Sequence, residues 1–369
     1  MSWDGGQIKV LLKEKNITQA DLASRIGVSR QALIEWTKEQ IPKGGHLLKL
    51  CQELGVSPDI FFKSDVSSRI AVPMHRTRRT AKLNTDMQQE AFDIASNYEL
   101  FFREALEPGL VQSLRISKKT EAEAIRASKS LRKMTNLNDD VPLNFSKVFE
   151  LTYKLGINLI FTEFHPKIKA YAFYTKINGH RVVFVDFNTS IIDLIFAILH
   201  ENIHSIRDES NVYENSCIYE KEEEDFCDKV ASYVQLTEGY IEEIVDILTG
   251  LSKSNQIARL KKIAQRNNYS LHAIYKRVRK YWPNFDLNIY PADTNIRKKS
   301  PNAKKYFFNT KDHRTYLKTW IDISPLFINN LIEQSERLSS RRISELLSLE
   351  SELDARELKK ELIRFKKEN

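Results

Sequence analysis

The sequence predicts a mainly helical α+β protein with a small β-sheet, and three observations support this fold class. Long parts of the 369-residue chain place apolar residues at helical spacing. Three stretches between residues 157 and 187 have the apolar pattern of strands, and an Asn-Gly pair separates the last two. We therefore predict a helical domain over 1–65, a helical connector over 66–135, an α+β core over 136–245 and a helical C-terminal region over 246–369.

The composition limits the class of protein. Hydrophobic residues make up 41% of the chain, which is enough for packed cores, and the net charge of +8 permits nucleic-acid contact without requiring it. Cys51, Cys217 and Cys227 lack the close spacing of a disulfide framework or a cysteine zinc site. No apolar run approaches the ~20 residues of a membrane span, and the N-terminus lacks a leader pattern, so we expect a cytoplasmic protein without a membrane segment.

Residues 7–62 have the pattern of a helix-turn-helix. Thr18 is placed to cap a helix that begins at Gln19, Gly27 supplies a tight turn, and Ser29 caps the second helix. Further apolar residues at helical spacing complete a small core.

This region resembles the phage-repressor, Cro-like class, including its Thr-Gln pair and Gly-Val-Ser turn. The resemblance implies that the helix beginning at Ser29 meets double-stranded DNA, with Arg30 and Gln31 at base edges and Gln19 at a phosphate or base. A homodimer is compatible with such a DNA-binding domain. The alternative is a protein-interaction or dimerisation bundle, because residues 1–60 carry a net charge of only about +1.

A basic segment without acidic residues follows this domain. It either tracks DNA phosphates or forms a solvated linker that docks on an acidic protein surface. Residues 83–135 then show the helical spacing expected of connector helices. The basic residues are Arg69, Arg76, Arg78, Arg79 and Lys82.

The α+β core begins with a helix around Val148 and Phe149. Strands are predicted from Ile157 to Phe161, Ala170 to Tyr174 and Arg181 to Phe187, and Asn178-Gly179 is the pair expected of a two-residue hairpin.

The stretch His200-Glu201-Asn202-Ile203-His204 carries the strongest functional signal. Positions four residues apart lie on one face of a helix, so both imidazoles can reach one metal ion while Glu201 can act as a base. Residues 191–199 are apolar nearly all round, which predicts a buried helix whose polar face turns into a cleft. The alternative is a chance match, since the pattern is short.

A catalytic zinc usually has three protein ligands, and a second predicted helix supplies the third candidate. We select Glu224, because Asp228 then lies one turn further on the same face, where its carboxylate can accept the second ring N–H of a ligand histidine. The competing carboxylates, for which a solvated acidic face is the other interpretation, are Glu220, Glu223 and Asp225.

From Val182-Val183-Phe184-Val185 through the histidine motif to residues 224–232, the chain resembles the ImmA/IrrE family of metallo-endopeptidases. The resemblance implies a zincin-like metallopeptidase core over 136–245, with His200, His204 and Glu224 as Zn²⁺ ligands and Glu201 as general base. A small sheet beside the metal-binding helix is where zincins typically seat an extended substrate.

Two positions depart from that family. Asp228 stands where the family usually has Asn, although it too accepts a hydrogen bond, and Thr237 stands where the family usually has Pro. Tyr213 and Tyr219, between the ligands, are candidates to stabilise the oxyanion, with a surface position as the alternative for each.

Beyond the metal site, residues 260–278 have a helix, turn, helix pattern that resembles a segment downstream of the peptidase core in the same family. We expect it to pack on the catalytic domain rather than to read DNA. Residues 291–305 predict an exposed loop. The tail over 343–362 predicts an amphipathic helical ending that packs on a partner or on the protein's own core.

These features predict a DNA-binding regulator fused to a zinc endopeptidase that cleaves a specific protein. In the family that substrate is typically a transcriptional repressor, and the neighbouring gene is the place to look for it. The alternative is a repressor or antitoxin-like protein whose zincin domain binds a partner without turnover. The intact His200, Glu201, His204 and Glu224 set favours the enzyme, because hydrolysis requires Glu201 and folding does not.

Overall fold

A computed structural model describes residues 2–3, 5–15, 17–38, 40–56, 61–63, 70–71, 85–106, 114, 116, 118–166, 168, 170–207 and 221–368. The chain divides into two compact units, Met1–Arg69 and Ile70–Asn369. Helices dominate both, and the larger unit contains a small mixed sheet, which confirms the predicted α+β class. Among the described residues, no helix is both long and apolar enough to cross a bilayer.

The first unit is a helical domain closed by a short two-stranded sheet. Its strands, β1 and β2, pair antiparallel through Trp3 and Phe62, and the indole N–H of Trp3 donates to the Trp36 carbonyl at 2.7 Å. The helices enclose one apolar core that includes Leu22, Leu33 and Leu54. The elements are β1 (Ser2–Trp3), α1 (Gly6–Glu14), α2 (Gln19–Ile26), α3 (Arg30–Trp36), α4 (Gly44–Leu54) and β2 (Phe62–Lys63).

The second unit is built on a sheet with the strand order β3-β5-β6-β4. β5 and β6 form an antiparallel hairpin, whereas β4 pairs parallel to β6. Asn178 and Gly179 connect the hairpin with φ values of 49° and 83°, the left-handed conformations that an Asn-Gly turn supplies. The strands are β3 (Ile70–Ala71), β4 (Ile157–Thr162), β5 (Ala172–Ile177) and β6 (His180–Asp186).

One long helix, α9, lies directly against β5 and β6 and carries the histidine motif. α10 packs along α9, and α7 packs along α10. The helices of this half are α5 (Thr85–Ser96), α6 (Glu99–Arg103), α7 (Glu121–Met134), α8 (Phe145–Lys154), α9 (Ile191–Arg207) and α10 (Lys221–Gln235).

The remaining helices form a C-terminal layer of the same unit. α12, α13 and α14 pack on one another, and α19 packs on α16, α17 and α18. Leu358 and Leu362 are buried, so the amphipathic tail contributes to the protein's own core. The helices are α11 (Glu238–Leu248), α12 (Lys253–Asn267), α13 (Leu271–Tyr281), α14 (Tyr290–Lys299), α15 (Ala303–Phe307), α16 (His313–Ile323), α17 (Pro325–Gln334), α18 (Ser340–Leu347) and α19 (Glu352–Glu368).

The predicted exposed loop over 291–305 is wrong, because this segment forms most of α14 and α15. Pro291 lies at the start of α14, where a proline is favoured because its missing N–H would have had no partner within the helix. The segment is also docked, since Arg297 pairs with Asp193 on α9 at 2.7 Å and Ser190 forms a β-bridge with Asn302.

Candidate metal centre and nucleic-acid interface

α9 holds His200, Glu201 and His204 in the interior of the larger unit. The helix is apolar on nearly every side, so it is buried against the sheet, and the fractional exposure of His200 and Glu201 is 0% and 1%. The two imidazole rings lie on the same face with centroids 4.7 Å apart. The predicted spacing therefore brings both rings to one point.

α10 brings Glu224 to that point. One carboxylate oxygen lies 3.1 Å from His200 Nε2 and the other lies 3.2 Å from His204 Nε2, while the two Nε2 atoms are 3.0 Å apart. Two ligand atoms bound to a tetrahedral zinc at its usual bond lengths would be about 3.3 Å apart. The three side chains therefore converge at a spacing close to that of three vertices of such a site.

The outer nitrogen of His200 also has a partner. Nδ1 of His200 lies 2.9 Å from Asp228 Oδ1, which orients the ring so that Nε2 faces Glu224. Burial by itself lowers the pKa of His200, but the hydrogen bonds to Asp228 and Glu224 outweigh it and raise the pKa to about 10. The imidazole thus keeps a second proton, which metal binding at Nε2 would release.

The charges around the two histidines favour a cation. Burial raises the pKa of Glu224, but the hydrogen bonds from His200 and His204 hold the pKa of this carboxyl well below its usual range. Burial lowers the pKa of His204, and the neighbouring His200 lowers it further. With Glu201 and Asp228, three carboxylates surround the two imidazoles, and Glu201 and Glu224 are buried whereas Asp228 is partly exposed. The donor set and its charge fit a divalent zinc ion.

The competing carboxylates have other positions. Glu223 is held by Arg207 and lies 3.2 Å from Lys119, whereas Asp225 is exposed. Glu223 could share a second ligand set with His204 and Cys227, but its carboxylate is already neutralised by these two cations. Glu220 lies outside the described residues, as do Tyr213 and Tyr219.

Cys227 is a residue of this site that the sequence reasoning missed. Its Sγ lies 3.7 Å from His204 Nδ1, so consecutive side chains of α10 contact the outer nitrogens of the two histidines. Burial raises the pKa of the Cys227 thiol well above its ordinary value, so the group stays protonated. Its position three residues after Glu224, one helical turn on, was the available signal.

Glu201 is tied to the sheet in this structure. One of its carboxylate oxygens accepts a hydrogen bond of 2.9 Å from the Tyr174 backbone N–H on β5.

Thr237, the other departure from the family pattern, precedes α11, and its hydroxyl donates to the Asp139 carbonyl.

The first unit presents the geometry of a helix-turn-helix. Thr18 Oγ1 accepts the Asp21 N–H at 3.2 Å to begin α2, which ends at Gly27 with a φ of 80°. Ser29 Oγ accepts the Ala32 N–H at 3.1 Å to begin α3. The turn therefore has the capped, glycine-ended form that the sequence predicted.

The predicted DNA contacts lie at the start of these two helices. Ser29, Arg30 and Gln31 are exposed, and Gln19 is half-buried at the start of α2. The Gln31 amide donates to Glu35 at 3.1 Å, one turn along α3. Arg30 and Gln31 are thus available at the N-terminal end of the second helix, which is the end that contacts bases in this motif. The basic segment around Arg76 and Arg78 lies outside the described residues.

Comparison with known proteins supports the assignment of the first unit as a helix-turn-helix domain. Residues 8–61 match the helix-turn-helix family model. Repressor protein C2 of Salmonella phage P22 is 38% identical over 64 residues, which are 17% of this chain and 30% of the phage protein. The chain thus spans 30% of the length of this curated relative. The N-terminal unit is a helix-turn-helix domain similar to that of a phage repressor.

Among solved structures, ComR from Streptococcus suis is similar at low level. The alignment covers 100% of this chain and 96% of that chain, with 9% sequence identity and a TM-score of 0.16.

Proposed function

We propose that this protein is a DNA-binding regulator with a fused zinc endopeptidase of the ImmA/IrrE type. The observation that carries the proposal is the convergence of the His200 and His204 Nε2 atoms with the Glu224 carboxylate, all within 3.2 Å of one another. Glu201 lies next to this set on the same helix, in the order that zinc peptidases use.

Each side chain has a separate role in this proposal. His200, His204 and Glu224 would hold the zinc, which supplies Lewis-acid polarisation of a peptide carbonyl and lowers the pKa of a water molecule toward 7. Glu201 would accept a proton from the attacking water and return it to the nitrogen of the leaving amine. Asp228 and Cys227 orient the two imidazoles from outside.

The helix-turn-helix unit would bind the proposed DNA partner. Arg30 and Gln31 are exposed at the start of α3, and the matched relative is a phage repressor. We infer that this unit binds double-stranded DNA, as a homodimer if its operator is a palindrome. The protein substrate would be a repressor or a stress- or phage-related regulator, with the product of the neighbouring gene as the first candidate.

One observation favours a second candidate function. The carboxylate of Glu201 is engaged by the Tyr174 backbone N–H and is almost fully buried. If this hydrogen bond is also present when a partner is bound, Glu201 holds α9 against β5. The zincin-like domain would then bind a protein partner without cleaving it.

Zinc content and proteolysis distinguish these functions. The purified wild-type chain should contain about one equivalent of zinc by elemental analysis. His204→Ala and Glu224→Ala should lose it, whereas Glu223→Ala, the matched control on α10, should keep it. Glu201→Gln should also keep the zinc, because Glu201 is not a ligand.

Proteolysis is measured by N-terminal labelling and mass spectrometry in cells that express each form. Wild type should generate new protein N-termini that Glu201→Gln does not, because an amide cannot accept the proton. Stoichiometric zinc with identical N-termini in both forms would favour the binding function. A wild-type chain that binds no zinc would overturn the proposed enzyme.

A further inference from the structure

A large cavity lies beside the metal centre and has no role in the proposed reaction. Its volume is about 1220 Å³, and α9, α10, α13 and α14 form its walls. Asp228, which contacts Nδ1 of His200, lines it together with Phe196, whose ring stacks on His200. The side chains of His200, His204 and Glu224 are not among the residues that line it.

One wall of the cavity is strongly cationic. α13 contributes Lys276, Arg277 and Arg279, for which the described residues provide no ion pair. Arg277 instead donates to the Leu236 carbonyl at 3.1 Å, and burial lowers its pKa. Cations in such a position favour an anionic ligand, because no carboxylate among the described residues forms an ion pair with them and Glu238 and Glu121 act on Arg277 only from a longer distance.

Other cations of the cavity differ, because their charges are neutralised by ion pairs within the protein. Arg297 pairs with Asp193 and Asp293, and Lys280 pairs with Glu121. Lys276, Arg277 and Arg279 are therefore a separate group, and we call them the α13 cations.

A buried hydrogen-bond acceptor in the same cavity has no partner among the described residues. The side chain of Gln235 is 2% exposed, yet its Oε1 receives no hydrogen bond from them. A buried amide oxygen without a donor destabilises the folded protein. A ligand that brings an N–H or O–H group to this oxygen would remove that cost.

We propose that this cavity binds an organic phosphate, a small molecule that carries a phosphate group together with N–H or O–H donors. The α13 cations would hold the phosphate, and Gln235 would accept from the organic part. A cavity of about 1220 Å³ is much larger than a free phosphate ion and fits a molecule of nucleotide size. A ligand there would also touch Asp228 and Phe196, which both contact His200.

The test is isothermal titration of the full-length protein with AMP and with glucose 6-phosphate, compared with inorganic phosphate and adenosine. We expect one site per chain for at least one of the two organic phosphates, at least about tenfold tighter than phosphate or adenosine. The double variant Lys276→Glu/Arg279→Glu should weaken binding by at least about tenfold. The matched control Lys262→Glu/Lys299→Glu, which changes two exposed cations outside the cavity, should not.

Further variants locate the site and guard against misfolding. Gln235→Leu should weaken binding with no change in charge, whereas Arg30→Ala in the helix-turn-helix unit should leave it unchanged. Each variant is accepted only if its thermal midpoint matches the wild type. Absence of binding up to about 5 mM of both organic phosphates would overturn the proposal. It would also be overturned if adenosine bound as tightly as AMP, or if hexaglutamate bound while both phosphates did not, since that indicates a surface for acidic protein.

Discussion

At the scale of single residues, Asp228 and Cys227 have matching positions around the two histidines. Asp228 lies 2.9 Å from the outer nitrogen of His200, and Cys227 lies 3.7 Å from that of His204. Both are on α10, so one helix would supply the proposed third ligand and the side chains that orient the two histidines. The sequence predicts Asp228 in this position because a carboxylate is a recognised partner of a ligand histidine, whereas only its spacing of one helical turn from Glu224 indicates Cys227.

Replacement of Asp228 should weaken zinc binding without abolishing it. We expect Asp228→Ala to lower zinc affinity by roughly 10- to 100-fold, because His200 loses the acceptor that fixes its tautomer. Asp228→Asn keeps an oxygen acceptor and should stay close to wild type. Competition with a chromophoric chelator measures both affinities. Equal losses in the two variants would mean that the negative charge of Asp228 matters, and not its role as an acceptor.

Replacement of Gln31 tests the predicted contact between α3 and a DNA base. Its amide donates one N–H to Glu35 at 3.1 Å and has a second N–H and a carbonyl oxygen that can contact a base. If they do so, Gln31→Ala should cost about 1–3 kcal/mol at the preferred site and relax selectivity there. A fluorescence titration against a promoter fragment and a scrambled fragment measures this. Lys49→Ala, an exposed change on α4, should leave selectivity intact, and a wild-type chain without sequence preference would contradict the assignment.

At the scale of secondary-structure elements, local signals predicted best where one residue type fits one conformation. Gly27 and the Asn178-Gly179 pair adopt the positive φ values that their turns require, and Thr18 and Ser29 cap the helices they precede. The strand predicted from Ala170 to Tyr174 instead runs from Ala172 to Ile177, because apolar content alone does not fix where pairing begins.

The segment over 291–305 and the α13 cations show where sequence reasoning failed. In the sequence, Pro291 and the basic residues that follow it favour a loop, but Pro291 starts α14 and Arg297 forms ion pairs within the fold. Lys276 and Arg279 lie on one helical face, which in a sequence is indistinguishable from a solvated face. Only tertiary packing reveals that this face borders a cavity.

Glu121 connects three helices of the larger unit through ion pairs that require its carboxylate to be ionised. This carboxylate begins α7 and pairs with Lys229 of α10 at 2.9 Å and with Lys280 of α13 at 2.8 Å. The hydrogen bonds from Lys280 and Tyr233 lower its pKa from 4.5 to about 2. Because the folded-state pKa lies below the ordinary value, these bonds stabilise the protein above pH 4.5, and the stabilisation is lost as the pH falls toward 2.

Glu121→Gln should therefore lower the thermal midpoint of the larger unit at pH 7, and the difference from wild type should shrink as the pH falls below 4.5. Differential scanning calorimetry at several pH values measures it. Glu222→Gln removes the same charge from an exposed position on α10 that forms no ion pair within the described part of the chain, and it serves as the control. A difference between Glu121→Gln and wild type that stayed constant down to pH 2 would contradict the assigned role.

At the scale of the whole molecule, the two compact units keep separate cores. The apolar residues of the first unit close on one another, and Phe61 and Trp3 bring its two ends together with ring centroids 5.5 Å apart. The larger unit is built around its own sheet and the helices that cover it. Such an organisation would allow DNA binding and the proposed metal chemistry to be altered one at a time.

A fragment of residues 1–69 should therefore fold alone. We expect a helical circular dichroism spectrum and a cooperative thermal transition, because its core needs no residue from the larger unit. Leu33→Ala, which empties a fully buried position, should lower its free energy of unfolding by about 2–5 kcal/mol, whereas Lys49→Ala should change it little.

In the full chain, Glu201→Gln should leave the affinity for DNA unchanged while it removes proteolysis. If Glu201→Gln abolished specific DNA binding as well, the two units would not be functionally separate, and Glu201 would be needed for the fold through its bond to β5.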